Sequence, residues 1–278
     1  MKTFKYKYPN LYRYILAILL FGFALFLSGL VNKGVIKQYF PFASVIFLTI
    51  ATWILLRTDH KSLHDIGLNF KLKNLNFLPL GILIGAIAFL ISKYLRAIYS
   101  GETFNISSDI NYNNVLYGMY IILPTVAVEE FLFRGYLFKK TIEISSIVKA
   151  NIIFSILFTA VHVFDDGALK ELPVFIFLAI TIPVGHLLFA TALLKSKSLF
   201  FPIGIHLGNN WASRHLITTT NDGNSFLHIT NNGTFETWTS FILFILLWNS
   251  FFLLVTLIIW KWGKISLFNF LKIILKKD

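Results

Sequence analysis

The sequence predicts an all-α, polytopic membrane protein of about eight transmembrane helices, and two observations carry that prediction. Of its 278 residues, 56% are hydrophobic and only 14% charged, with a mean hydropathy of +0.71. A soluble domain carries nearly twice that charged fraction, about 25%. The apolar residues also gather in runs of about 17–25, the length that spans a hydrocarbon core of about 30 Å.

Taken in order, residues 1–13 are basic and an apolar run follows over 14–30. A secretory signal has the same outline, but this apolar segment is long and no A-x-A-like site closes it. It reads as a retained first helix. Further runs cover 40–56, 77–98, 115–138, 147–164, 172–194, 199–216 and 238–262. The stretch 214–237 is rich in Thr, Asn and Gly and reads as a mobile exterior loop. The tail 263–278 alternates apolar and basic residues, as expected of a segment lying along the cytoplasmic interface. No internal repeat and no linker divides the chain, so residues 1–278 are expected to form a single membrane domain.

The net charge of +12 is distributed in a way that argues against a nucleic-acid partner. Its Lys and Arg residues sit in short connections instead of forming one basic face. One alternating set of connections, with both termini, holds eighteen of them and the other set six. The positive-inside bias then places both termini in the cytoplasm of a plasma (inner) membrane. The chain contains no cysteine, which excludes disulfides, Cys-ligated zinc and thiol nucleophiles.

Against that apolar background, the segment PTVAVEEFLFRGYLF (124–138) places Glu129, Glu130 and Arg134 within one helix. Ionisable groups at membrane depth cost roughly 2.5–3.5 kcal/mol each on insertion scales, so three in six residues require a reason. At 100° per residue, Glu130 and Arg134 share a face and form the natural ion pair, whereas Glu129 lies about 140° from Arg134 without a local partner. The fifth run brings His162, with Phe158 one turn earlier; a lone His in such a helix is more often a packing residue than a catalyst. The seventh brings His206 and Asn210 on one face, flanked by Gly204 and Gly208, which allow another helix to approach closely. His186 has no polar neighbour at helical spacing and is expected to pack or to hydrogen-bond between helices.

One Glu, two His and one Asn on three helices suit two hydrolytic chemistries. A carboxylate and an imidazole can polarise a water while the second His and the Asn amide meet the oxyanion. Alternatively, Glu129, His162 and His206 could hold a catalytic zinc with an open position. The residues alone favour either chemistry only modestly over a structural polar network, and no G-x-S-x-G, P-loop or H-E-x-x-H is present.

Three motifs add a resemblance. Glu129-Glu130-x-x-x-Arg134, Phe158-x-x-x-His162 and His206-x-x-x-Asn210 stand in the order of those of the CPBP family. These are the CAAX prenyl protease and bacteriocin-processing intramembrane proteases, also called Abi, and the likeness covers about residues 115–215. The resemblance implies about eight helices enclosing an intramembrane active-site chamber, and an endopeptidase acting near the membrane surface. It implies that Glu129 and His162 activate the water and that His206 and Asn210 serve the oxyanion. Glu130, Arg134 and Phe158 would support the site. The expected partners are the bilayer and a peptide or protein substrate, lipidated ones included. No cofactor is expected, with zinc the alternative. A non-proteolytic immunity or scaffolding protein that keeps the fold is the second reading, and a transporter or proton pathway ranks last.

Overall fold

Among the described residues, each of the eight apolar runs is helical, because in lipid a chain must satisfy its backbone groups internally. The computed structural model describes residues 2–165, 168–231 and 233–262. A short α1 (Lys2–Lys7) leads into α2 (Pro9–Val31), whose proline sits where a helix can spare an N–H. Next come α3 (Gly34–Tyr39), α4 (Ala43–Thr58), α5 (Leu72–Leu75) and α6 (Phe77–Ser100). The fourth apolar run forms α7 (Tyr112–Arg134) and α8 (Tyr136–Ile144). They are followed by α9 (Ile147–Asp165), α10 (Leu172–Ser196), α11 (Phe200–His215) and α12 (Trp238–Lys261). Among the described residues six spans are long and apolar enough to cross a bilayer, which makes this a multi-pass membrane protein. The helices α4 and α11 have 16 residues each, about 24 Å at 1.5 Å per residue, short of the hydrocarbon thickness.

In α11 that shortness has a cause. Every residue from Phe201 to Gly208 is buried, so α11 is surrounded by protein and need not match the lipid. Its closest partner is α6. A Cβ on Gly85 would lie 2.0 Å from the Ile205 carbonyl oxygen, and one on Gly208 would lie 2.1 Å from that of Ile82. The two backbones touch where only glycine fits, the small-residue packing used in membranes in place of a hydrophobic drive. The expected close approach at Gly204 and Gly208 is therefore present, and the matching pair Gly81 and Gly85 on α6 went unread in the sequence.

Apolar packing divides around this centre. On one side Phe21, Leu48, Leu55, Val126 and Phe131 join α2 and α4 to α7. On the other Phe89, Leu188, Phe189, Trp248 and Phe252 join α6 and α10 to α12. Phe177 and Phe244 stack at 5.9 Å across the second group.

Two expectations need correction. First, the stretch 214–237 is not simply a loop. Strands β1 (Thr103–Ile106), β2 (Ile217–Thr218) and β3 (Leu227–Asn231) form a sheet in the order β1-β3-β2, antiparallel then parallel. Beneath it Glu102 pairs with Lys93 and Arg96, both at 2.9 Å. The composition of 214–237 suggested mobility because the partner strand lies more than a hundred residues earlier. Second, the fourth run is not one straight helix. It breaks at Gly135, where ψ is −133° and an added Cβ would meet the Phe131 carbonyl oxygen at 2.2 Å. The interfacial tail expected at 263–278 lies outside the described residues.

At the bundle end opposite the sheet, Asp59 gathers Arg13 at 2.8 Å, Lys140 at 3.5 Å and the Tyr136 hydroxyl at 2.8 Å. Glu143 pairs with Lys61 and, at 3.7 Å, with Lys140.

Candidate active site

Helix α7 carries the two glutamates and the arginine, and the helical turn separates their fates. Glu130 and Arg134 have no exposure, and Arg134 Nη1 donates to Glu130 Oε1 at 3.1 Å. The guanidinium lies over Phe158 at 4.1 Å and Phe189 at 5.0 Å, so aromatic faces replace part of its lost hydration. The same Glu130 oxygen receives His206 Nδ1 at 2.8 Å. That contact was not legible in the sequence, where Glu130 was paired with Arg134 alone.

Glu129 turns the other way. Its Oε2 lies 3.7 Å from His206 Nε2 and 3.9 Å from His162 Nε2, beyond direct hydrogen bonding but within what one shared water bridges. That oxygen is buried and has no hydrogen-bond partner among the described residues. Glu129 and His162 remain about a quarter exposed, whereas His206 is 6% exposed.

The imidazoles are oriented by their second nitrogens. His162 Nδ1 lies 2.9 Å from the Phe158 carbonyl, one turn earlier on α9. A carbonyl only accepts, so Nδ1 carries a proton, and Nε2 faces Glu129. His206 Nδ1 likewise donates to the Glu130 carboxylate. Its ring stacks on Phe189 at 4.7 Å, a residue of α10 that no spacing had singled out. Phe158 packs edge-on against His162 at 4.4 Å while lying under Arg134, so it joins the ion pair to the histidine.

Glu129, His162, His206 and Asn210 line one cavity of about 460 Å³ inside the bundle. Phe89, Phe177, Leu178, Trp248 and Phe252 form much of its apolar wall. Four further polar residues, Thr125, Thr181, Asn209 and Arg214, also line it. Asn209 was hidden by its position beside Asn210, and Arg214 by its place at a helix end, where a basic residue is ordinary.

His186 does not join the site. It is buried against Phe138 and Phe158, and neither ring nitrogen has a partner among the described residues. It packs and does not bond between helices.

A tetrahedral zinc with ligands at about 2.0–2.1 Å would place them about 3.3 Å apart. Glu129 stands wider than that from both histidines, and among the described residues no three His, Asp or Glu side chains are grouped to hold a metal ion. The residues as placed do not fit zinc.

Residues 111–212 match the family model described as type II CAAX prenyl endopeptidase Rce1-like, in agreement with the CPBP resemblance of the three motifs. The matched stretch contains all three motifs. No curated protein and no solved structure matches the chain.

Proposed function

Starting from a segment, residues 111–212, that belongs to the Rce1-like family of type II CAAX prenyl endopeptidases, we propose that this chain hydrolyses a peptide bond inside the membrane, near its surface, without a metal. The family is one of peptidases; the residues and the chemistry are our reading. The observation that carries it is the convergence of Glu129, His162 and His206, from three helices, on one cavity.

Glu129 Oε2 and His162 Nε2 are both acceptors and together orient a water, each taking one of its hydrogens. Its oxygen lone pair then faces a carbonyl carbon in the cavity. As the C–O bond forms, Glu129 takes a proton. When the tetrahedral intermediate collapses, the C–N bond breaks and that proton passes to the leaving nitrogen. His206 and Asn210 meet the oxyanion. Because Nδ1 of His206 donates to Glu130, donation from Nε2 requires both ring nitrogens protonated. The apolar walls suit a substrate that is itself apolar or lipidated.

Comparative peptidomics of membranes carrying wild type or Glu129→Gln tests the reading. Released peptides that require Glu129 are expected. Identical peptide profiles, or a biological phenotype retained by Glu129→Gln, would favour the non-proteolytic alternative. We place both termini in the cytoplasm of a plasma membrane, supported by the charge asymmetry of the connections. Reporter fusions at Lys277 and within residues 218–231 test this; an exterior signal at Lys277 reverses it.

A further inference from the structure

Arg214 occupies the last turn of α11, four residues beyond Asn210 and eight beyond His206, on one inclined stripe of that helix. It is exposed, and it lines the same cavity as Glu129, His162 and Asn210. Among the described residues it has no ion-pair or side-chain hydrogen-bond partner. By contrast Lys93 and Arg96, also on the sheet side of the bundle, are both held by Glu102. A basic residue in a last turn also complements the helix dipole, an ordinary reason for its presence. That reason does not explain why the side chain faces the cavity that holds the reactive carboxylate.

We propose that Arg214 is a specificity-determining residue that captures a peptide carboxylate of the substrate and so sets where the chain is cut. The proposal rests on the proteolytic reading above. A guanidinium is a permanent cation with a planar fork that fits a carboxylate with two hydrogen bonds. His206 and Arg214 are eight residues apart, about 12 Å along the axis, and an extended peptide advances about 3.3 Å per residue. The captured carboxylate then lies about three to four residues from the scissile bond. It is either the substrate's free C-terminus or an acidic side chain, and the two are separated by the test.

Peptides released by membranes carrying wild type, Glu129→Gln, Arg214→Ala and Arg214→Lys are compared first. Those that require Glu129 are then synthesised as free acids, as C-terminal amides and with acidic side chains neutralised, and assayed with the purified full chain. For wild type, removing the captured carboxylate is expected to lower kcat/KM by about 10- to 100-fold, chiefly through KM. Arg214→Ala should lose that discrimination while kcat stays within about threefold, and Arg214→Lys should recover part of it. A preference for the acid over the amide identifies the C-terminus; sensitivity only to side-chain neutralisation identifies an acidic residue. Equal rates on all forms by wild type, or an undiminished preference in Arg214→Ala, overturn the role of Arg214 while leaving the peptidase intact. Absence of any product that requires Glu129 overturns the peptidase reading itself, and this inference with it. Size-exclusion elution of Arg214→Ala matching wild type ties its loss to the cavity and not to misfolding.

Discussion

Two charge networks, one at the end of the bundle opposite the sheet and one inside it, are built on different rules. At the end opposite the sheet, two carboxylates are each shared between cations: Asp59 between Arg13 and Lys140, Glu143 between Lys61 and Lys140. The pairs there are partly exposed, and such pairs are worth about 0–1 kcal/mol each. Inside the bundle the carboxylates outnumber the permanent cations. Glu130 spends one oxygen on both Arg134 and His206, and Glu129 has none to itself. A network that only joins helices can match each charge with its opposite. The inner one leaves a carboxylate unmatched beside a cavity, where it can act on something that enters.

Breaking the unmatched member should have the largest effect on activity and the least on the fold. Glu129→Gln is expected to lower peptide release by at least about 10³-fold, with thermal stability unchanged or raised, because a partly buried charge without an ion-pair partner of fixed charge is removed. Retained activity in both Glu129→Gln and His162→Ala would end the proposed chemistry. Breaking the matched inner pair should reverse that signature. Glu130→Gln leaves Arg134 without its carboxylate and His206 without its acceptor, at a cost of about 3–5 kcal/mol, and expression, melting temperature and activity should fall together. At the other network Lys61→Ala should cost no more than about 1 kcal/mol in melting experiments and leave cleavage intact. A loss there as large as for Glu130→Gln would erase the contrast between the two networks. The smallest effect is expected from a strong chelator, which should leave cleavage undiminished if no metal takes part; full inhibition reversed by zinc would replace the water geometry with a metal one.

Much of the inner network was legible because it is local. The Glu130–Arg134 pair and the isolation of Glu129 follow from 100° per residue on a single helix, before any neighbour is known. His206 and Asn210 were visible for the same reason. What the sequence obscured is where a residue far along the chain decides the outcome. Glu130 meets His206 across 76 positions, and Phe189 covers the ring from a third helix. For His186 the sequence left packing and a hydrogen bond between helices open, and the apolar neighbours Phe138 and Phe158 decide for packing.

By itself the sequence determined the eight helical segments, since an apolar run in lipid has no other way to satisfy its backbone, and it determined which side chains share a helix face. Only the tertiary structure decided the rest. It set the glycine contact that seats α11 against α6, the break at Gly135, the sheet that gathers β1 with β2 and β3, and the meeting of Glu129 with two histidines. Helical periodicity acts over four residues and can be read from a string. Contacts between helices depend on which faces pack and how closely, and those are set by the whole bundle at once.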